Sequence, residues 1–255
     1  EQGFEVVAVA HEGETPAEII EHAAQVTWVR VGELGKIIET FQEAGVQQAV
    51  MAGGIYKAGA MTGICPDARG MTLISRLPSL RDDVILRAVA SELEEEGIAI
   101  VECTRFLSAL VPEVGVLTRK RPSADQEENI QLGVSAAQEI GRWDVGQSVV
   151  VKRGTVLAVE GVEGTNAAIK RGGEFGGEGC IVVKMSKPQQ DMRFDVPTVG
   201  PDTIAVMEQV KADVLAVEAG KTLMIDRSNV VNNAEAAGIV VVAIDGNHTV
   251  GACSS

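Results

Sequence analysis

The sequence predicts a two-domain α/β protein, with an N-terminal Rossmann-like parallel sheet in residues 1–121 and a C-terminal mixed-sheet α/β domain in residues 122–255. Its 255 residues exceed the length of one typical domain. Apolar residues make up 45% of the chain and aromatic residues only 3%. Such small aliphatic cores suit helices packed on a sheet. A helical pattern, a glycine and then an aliphatic run recur at Gly45, Gly97 and Gly238, as α/β layering requires.

In the first half, short aliphatic strands alternate with helices. The predicted strands are Val6–Ala10, Val26–Val31, Val46–Met51 and Ile98–Cys103, and the predicted helices are Pro16–Ala24, Lys36–Ala44 and Asp82–Glu96. Thr15 is the expected N-cap of the first helix, while Gly45 and Gly97 end the other two.

The second half has more strand. A charged stretch with a proline, Thr118–Ser123, lacks apolar periodicity and predicts the domain boundary. A glycine-rich turn is expected at Gly172–Gly179, a helix cap at Ser228, and a frayed end at residues 247–255. Helices are predicted at Asp125–Ile140, from Thr165, after Asp202 and up to Ala237, and strands at Ser148–Lys152, Val156–Glu160, Ile181–Met185, Val214–Glu218, Leu223–Ile225 and Val240–Ile244.

Charge and composition exclude several classes of protein. The net charge is −14 and no basic stripe is present, which argues against nucleic-acid binding. No run of 18 apolar residues and no signal peptide is found, so a cytoplasmic protein is expected, with any membrane contact local and apolar. The four cysteines and three histidines lack the spacing of a zinc site.

Two glycine-containing turns in the first half are candidate phosphate sites. In Val31–Lys36, Gly32 and Lys36 stand where a strand gives way to a helix, and backbone amides there can hold an anion. Gly53 and Gly54 follow a strand end, where ligands bind in open α/β sheets. An ordinary turn and tight packing remain the alternatives for both.

Residues 160–198 carry the densest cluster of charged side chains, although solvated loop residues remain an alternative for each one. Carboxylates and cations alternate there: Glu160, Glu163, Asp191 and Asp195 with Lys184, Lys187 and Arg193. This mixture suits a hard divalent cation beside a phosphate group, because Mg²⁺ takes one or two carboxylates and completes its shell with water and substrate phosphates. Further along, Asp226 is a possible ligand or a helix cap.

Together these motifs resemble one known family. Glu163–Asn166, Lys187–Gln189, Arg193–Gly200, Glu218–Gly220 and Asp226–Arg227 resemble LpxI, the UDP-2,3-diacylglucosamine pyrophosphatase family of lipid A synthesis in Gram-negative bacteria. Gly32–Lys36, Ala52–Gly54, Pro66–Gly70 and Asp82–Asp83 fit the same family. The resemblance spans nearly the whole chain.

The resemblance implies Mg²⁺-dependent hydrolysis of a lipid-linked nucleotide sugar, UDP-2,3-diacylglucosamine, to lipid X and UMP. It also implies transient contact with the inner membrane. Asp195, Lys187 and Glu163 are the implied catalytic residues, and Asp195, Glu163 and Asp226 the implied metal ligands. The implied substrate-binding residues are Gly32, Lys36, Gly53, Gly54, Asp82, Asp83, Thr165, Asn166, Lys184, Gln189, Thr198 and Glu218.

The chain departs from the family pattern at two points. Asn166 stands where the family has aspartate, and the family's strand and glycine-rich turn before the segment matching Val6–Ala10 are not in this sequence. A non-catalytic nucleotide-sugar or acyl-lipid carrier is therefore the alternative function. A dehydrogenase is disfavoured because no G-x-G-x-x-G follows a strand. The oligomeric state stays open, a homo-oligomer included.

Overall fold

The computed structural model describes residues 3–54 and 64–246. The chain divides into two compact units, residues 1–103 and 104–255. The sequence placed the boundary at 121/122. Residues 104–121 group with the second unit because they contain the strand β5 (Gly115–Val116), which pairs with a strand near the C-terminus.

The first unit contains two separate pairs of parallel strands. β1 pairs with β2, and β3 pairs with β4. Its elements are β1 (Val7–His11), β2 (Gln25–Val29), α1 (Leu34–Glu43), β3 (Gln48–Ala49), α2 (Ala68–Arg76), α3 (Asp82–Glu95) and β4 (Ala99–Ile100). The described residues agree with an α/β unit with parallel strands. A single Rossmann-like sheet stays a prediction.

Two local predictions for this unit were wrong. Residues Ala17–Glu21 form a short 3-10 helix, where a longer α-helix was predicted. Its N-cap is Pro16, and the Thr15 hydroxyl instead accepts a hydrogen bond from the backbone N–H of His11 at 3.0 Å. Thr15 therefore stabilises the end of β1. The helix α2 was not predicted at all.

The second unit is built on one six-stranded mixed sheet, which confirms the predicted mixed-sheet α/β fold. The strand order is β5-β12-β10-β8-β6-β7, in which β8, β10 and β12 are parallel and β5, β6 and β7 pair in antiparallel fashion. Its further elements are α4 (Ala124–Arg142), β6 (Ser148–Lys152), β7 (Thr155–Val159), α5 (Thr165–Gly176), β8 (Ile181–Lys184), β9 (Thr198–Val199), α6 (Pro201–Gln209), β10 (Val214–Glu218), β11 (Leu223–Met224), α7 (Arg227–Ala237) and β12 (Val240–Ile244). β9 and β11 form a separate parallel pair.

Helices cover both faces of this sheet. Residues of α4, such as Val134, pack with alternate strand residues such as Val183 on one face. Residues of α5, α6 and α7 pack with the intervening strand residues on the other face, as Ile169 does with Val182. Because both faces are buried, the central strands are aliphatic along most of their length, as parallel strands usually are, and polar residues such as Lys184 and Glu218 lie at their ends.

The glycine-rich segment is largely helical, which corrects the predicted turn at Gly172–Gly179. Gly172, Gly173 and Gly176 lie inside α5. A Cβ added at Gly172 would lie 2.6 Å from a carbon of Val150, and one at Gly173 would lie 2.4 Å from Val210. These glycines therefore let α5 approach the sheet and α6 closely, and the turn begins only after the helix.

The predicted cap of α7 was also wrong. The helix begins after Asp226, which has a left-handed backbone (φ 51°), and the Asp226 side chain makes no capping hydrogen bond to the backbone. Ser228 already lies within the helix.

Candidate active site

Polar residues gather at one edge of the six-stranded sheet. Lys184 is the last residue of β8 and pairs with Ser148, the first residue of β6. Glu160 follows the end of β7, and its N–H donates to the Ser148 carbonyl at 2.8 Å. This edge holds the carboxyl ends of the parallel strands, where ligands bind in open α/β sheets.

A chain of hydrogen bonds joins three of these side chains. Lys184 Nζ donates to Thr165 Oγ1 at 2.9 Å, and Thr165 Oγ1 donates to Glu160 Oε1 at 2.9 Å. Lys184 is 5% exposed and Glu160 is 8% exposed. Burial lowers the pKa of Lys184, while the negative charges of Glu160 and Asp195 act in the opposite direction. The lysine is therefore buried, and the charges of two carboxylates act on it.

A cavity of about 360 Å³ opens beside this chain. Its lining combines the first residues of α5 with side chains from β8, β9 and α6, namely Glu163, Gly164, Thr165, Asn166, Lys184, Thr198 and Thr203. Gly164 precedes α5 with φ 81°, a conformation that other residues rarely adopt. The amino end of a helix and a buried ammonium thus face one cavity, an arrangement that attracts anions.

Glu163 lies at this cavity, but its carboxylate is already bound. Oε1 lies 2.5 Å from Nη2 of Arg171, and Oε2 accepts from the N–H of Gly161 at 3.1 Å. A hydrogen bond from a backbone amide and the guanidinium of Arg171 lower the pKa of Glu163. Through these contacts, the carboxylate stabilises the loop before α5.

Lys187 and Gln189 do not line the cavity. Lys187 Nζ forms an ion pair with Asp144 at 2.5 Å. Gln189 Nε2 donates to the carbonyl of Gly141 at 2.7 Å. Both side chains hold their loop against the end of α4, and the catalytic and substrate-binding roles expected for them stay predictions.

Asp195 is exposed, and Gln190 Nε2 donates to its Oδ2 at 2.9 Å. It lies close enough to Lys184 to raise the pKa of that lysine. Glu218, in contrast, is buried at the end of β10, where Oε2 accepts from the N–H and hydroxyl of Ser186. Its Oε1 pairs with Lys221 at 2.8 Å. Glu218 thus holds the loop after β8.

The three implied metal ligands do not form a preformed metal site. Within residues 3–54 and 64–246, no three histidine, cysteine or acidic side chains are grouped to hold a metal ion. Glu163 is bound to Arg171, and Asp226 Oδ2 accepts from Asn229 Nδ2 at 2.6 Å. Asp195 is exposed, and its charge acts on the cavity residue Lys184. One carboxylate suffices only for a Mg²⁺ ion that takes its other ligands from water and substrate phosphates.

The phosphate site predicted at Gly32 and Lys36 is filled by the chain itself. Asp67 Oδ2 accepts from the N–H groups of Gly35 at 2.7 Å and Lys36 at 3.4 Å, at the start of α1. Lys36 Nζ donates to the carbonyl of Trp28. Gly32 has φ 103°, and a Cβ there would lie 3.0 Å from Pro66. A side-chain carboxylate therefore takes the place expected for a phosphate.

Asp67 links two helices, because its Oδ1 also caps α2 by accepting from Gly70 N–H at 2.8 Å. We expect Asp67→Ala to destabilise these helix starts by about 1–2 kcal/mol, the usual effect of losing an N-cap. Amide hydrogen exchange at Gly35 and Gly70 should then accelerate, while Asp83→Ala, in an exposed pair with Arg87, should leave it unchanged. Unchanged protection in Asp67→Ala would refute this role.

The substrate-binding roles predicted for the remaining residues of the first unit stay predictions. Gly53 and Gly54 are exposed after β3. Asp82 is the first residue of α3, and Asp83 forms an exposed pair with Arg87. Sequence reasoning missed two contributors in the second unit, because neither Ser148 nor Thr203 belongs to a recognisable motif. Glu160 was named in the charged cluster, but not as a partner of Thr165.

Comparison with known proteins identifies the family. A model described as the LpxI N-terminal domain matches residues 1–110, and one described as the LpxI C-terminal domain matches residues 113–242. A curated relative, the UDP-2,3-diacylglucosamine pyrophosphatase LpxI of Caulobacter vibrioides, is 33% identical over 231 residues, which cover 85% of this chain and 81% of the relative. In the described part of the chain, no helix is both long and apolar enough to cross a membrane. Both halves of the chain match, and the chain belongs to the LpxI family.

Proposed function

We propose that this chain hydrolyses the pyrophosphate bond of UDP-2,3-diacylglucosamine and releases lipid X and UMP. The relative from Caulobacter vibrioides carries the name of this activity at 33% identity. The observation that carries the proposal is the buried Lys184 at the cavity that also contains the start of α5. A buried cation and a helix amino end together suit a diphosphate.

In this mechanism Lys184 donates hydrogen bonds to a non-bridging phosphate oxygen. The backbone N–H groups in the first turn of α5 bind a second oxygen, because they have no partners within the helix. Negative charge that develops on the diphosphate during attack by water is stabilised by groups already in place, which need no reorganisation. Asn166 and Thr198 offer uncharged polar contacts at the cavity wall.

Magnesium dependence is part of the proposal, with Asp195 as the carboxylate that would hold the ion. When bound with the substrate, Mg²⁺ supplies positive charge that neutralises the diphosphate. Asp195 is preferred because its charge acts on Lys184 at the cavity, whereas Glu163 pairs with Arg171 and Asp226 accepts from Asn229. Each water consumed gives one phosphomonoester on the sugar and one on the nucleoside.

The acyl chains need an apolar surface, and each buried methylene contributes about 0.8 kcal/mol. Val162 is 89% exposed and directly precedes the cavity residues Glu163 and Gly164. We assign it to the acyl chains or to the membrane surface that holds them. A net charge of −14 favours this local apolar contact with the inner membrane over electrostatic attachment.

Phosphorus NMR tests the function directly. Purified protein with UDP-2,3-diacylglucosamine and Mg²⁺ should convert the two coupled diphosphate signals into two phosphomonoester signals. The conversion should stop with excess EDTA and return when Mg²⁺ is restored. Substrate binding without conversion in Mg²⁺ would overturn the proposal and favour the carrier. Conversion unaffected by EDTA would reject the magnesium requirement alone.

A further inference from the structure

The hydrogen-bond chain at the sheet edge has a fixed direction. An ammonium group has three donors and accepts nothing, so Lys184 must occupy a lone pair of the Thr165 oxygen. A hydroxyl has one proton, and Thr165 gives it to Glu160. Ser148 Oγ, at 3.3 Å from Thr165 Oγ1, is then the donor in that contact. The Thr165 hydroxyl has no proton left for a ligand.

The direction of these hydrogen bonds determines which protons remain for a ligand in the cavity. Of the three protons of Lys184, one is used on Thr165, and the other two are available to an anion. The Lys184 side chain is long and flexible, so its direction depends on what holds it. The hydrogen bond to Thr165 does this, and Thr165 is in turn held by Glu160.

We propose that Glu160 is a positioning residue, which acts through the Thr165 hydroxyl to aim the Lys184 ammonium at the diphosphate in the cavity. Its kinetic consequence rests on the proposed function. Three hydrogen bonds separate Glu160 from the substrate, through Thr165 Oγ1 and Lys184 Nζ, and Glu160 touches no reacting atom. Its buried position at the end of β7 fixes it relative to the sheet, because Glu160 N–H is bonded to Ser148.

The carboxylate is required for this role, because both of its oxygens face donors. Oε1 accepts from Thr165, and Oε2 lies 3.4 Å from the N–H of Gln147. In Glu160→Gln the amide NH₂ must face one of these two donors. With the NH₂ toward Thr165, the Thr165 hydroxyl loses its acceptor and must turn its proton to Ser148 Oγ, which reverses the direction of the chain. With the NH₂ toward Gln147, two donors face each other, while the size of the side chain stays the same.

Kinetics give the first test. Glu160→Gln and Thr165→Val should each lower kcat about 10- to 100-fold, the usual effect of a small misplacement at an active site. KM should change less than about threefold, because the charge of Lys184 remains in the cavity. Thr165→Ser keeps the hydroxyl and should restore most of kcat. The double variant should lose no more than the worse single variant, since both break one chain.

Lysine NMR gives a second test that needs no substrate. In protein labelled with ¹³C at lysine Cε, Lys184→Met identifies the Lys184 signal. Thr165→Val and Glu160→Gln should both shift this signal, and Glu178→Gln, in an exposed pair with Lys211, should not. Thermal unfolding verifies that each variant is folded. If Glu160→Gln does not fold, Thr165→Val still tests the positioning role. An unshifted Lys184 signal, or additive kinetic losses, would overturn the positioning role. If the wild-type protein fails to hydrolyse the lipid, the NMR result still decides the role of Glu160, and only the proposed function is overturned.

Discussion

Lys184→Met is expected to lower kcat/KM about 10³-fold, the upper end of what one stabilising donor contributes to a transition state. Methionine has a similar length but carries no charge, so the cavity loses the cation that faces the diphosphate. Lys211→Met is the matched control, because Lys211 lies in an exposed pair with Glu178 and should change kcat/KM less than about twofold. A Lys184→Met enzyme that retains a tenth or more of wild-type kcat/KM would refute the assignment.

The same lysine predicts how activity and stability depend on pH. Lys184 offers a positive charge to the phosphate only when protonated, and burial lowers its pKa. Activity should therefore decline on the alkaline side at a lower pH than an ordinary lysine would give. Between the lowered folded pKa and the ordinary unfolded pKa, the unfolded chain binds more protons, so this group makes the free energy of unfolding rise with pH. Lys184→Met should remove both effects. If the residual activity of Lys184→Met still declines at alkaline pH, a group other than Lys184 causes that decline.

Asp195→Asn is expected to lower kcat about 10²-fold or more, while substrate affinity stays within about threefold, because a single carboxylate near the diphosphate is replaced by a weaker ligand. The asparagine can still accept the hydrogen bond from Gln190, so the loop should keep its place. The negative charge of Asp195 raises the pKa of Lys184, so the alkaline limb of the residual activity should also move to lower pH.

The control for this variant is Asp125→Asn, an exposed acidic residue in the first turn of α4. It should leave kcat, affinity and the pH profile unchanged. Titration of Mg²⁺ separates the two possible roles of Asp195. If saturating Mg²⁺ restores the kcat of Asp195→Asn, Asp195 is a metal ligand. If saturating Mg²⁺ does not restore it, Asp195 is a catalytic group. Turnover of Asp195→Asn that is unchanged at limiting as well as at saturating Mg²⁺ would reject both roles.

The long elements of the second unit were predictable because their periodicity is undisturbed. The helix Asp125–Ile140 corresponds to α4, and the strands β6, β10 and β12 have the predicted bounds. The glycine-rich end of α5 was not predictable, since glycine usually breaks helices. Only the three-dimensional packing against Val150 and Val210 explains why it is helical there.

The candidate site was predictable in part. Glu163, Thr165, Asn166, Lys184 and Thr198 were named from the sequence, and all line one cavity. Sequence reasoning could not tell a charge that faces a ligand from one that holds a loop. Lys187 and Lys184 look alike in the sequence, and only burial and partners separate the ion pair with Asp144 from the cation at the cavity.

The glycines of α5 link the thermal stability of the protein to its catalytic rate. Thr165 is the first residue of the helix whose Gly172 touches Val150, so a methyl group added at that seam would push the whole helix outward. The hydroxyl at its far end would then move away from the ammonium. Substitutions selected for thermal robustness should therefore accumulate elsewhere in the molecule, and alanine at Gly172 should slow the enzyme even where the protein still folds.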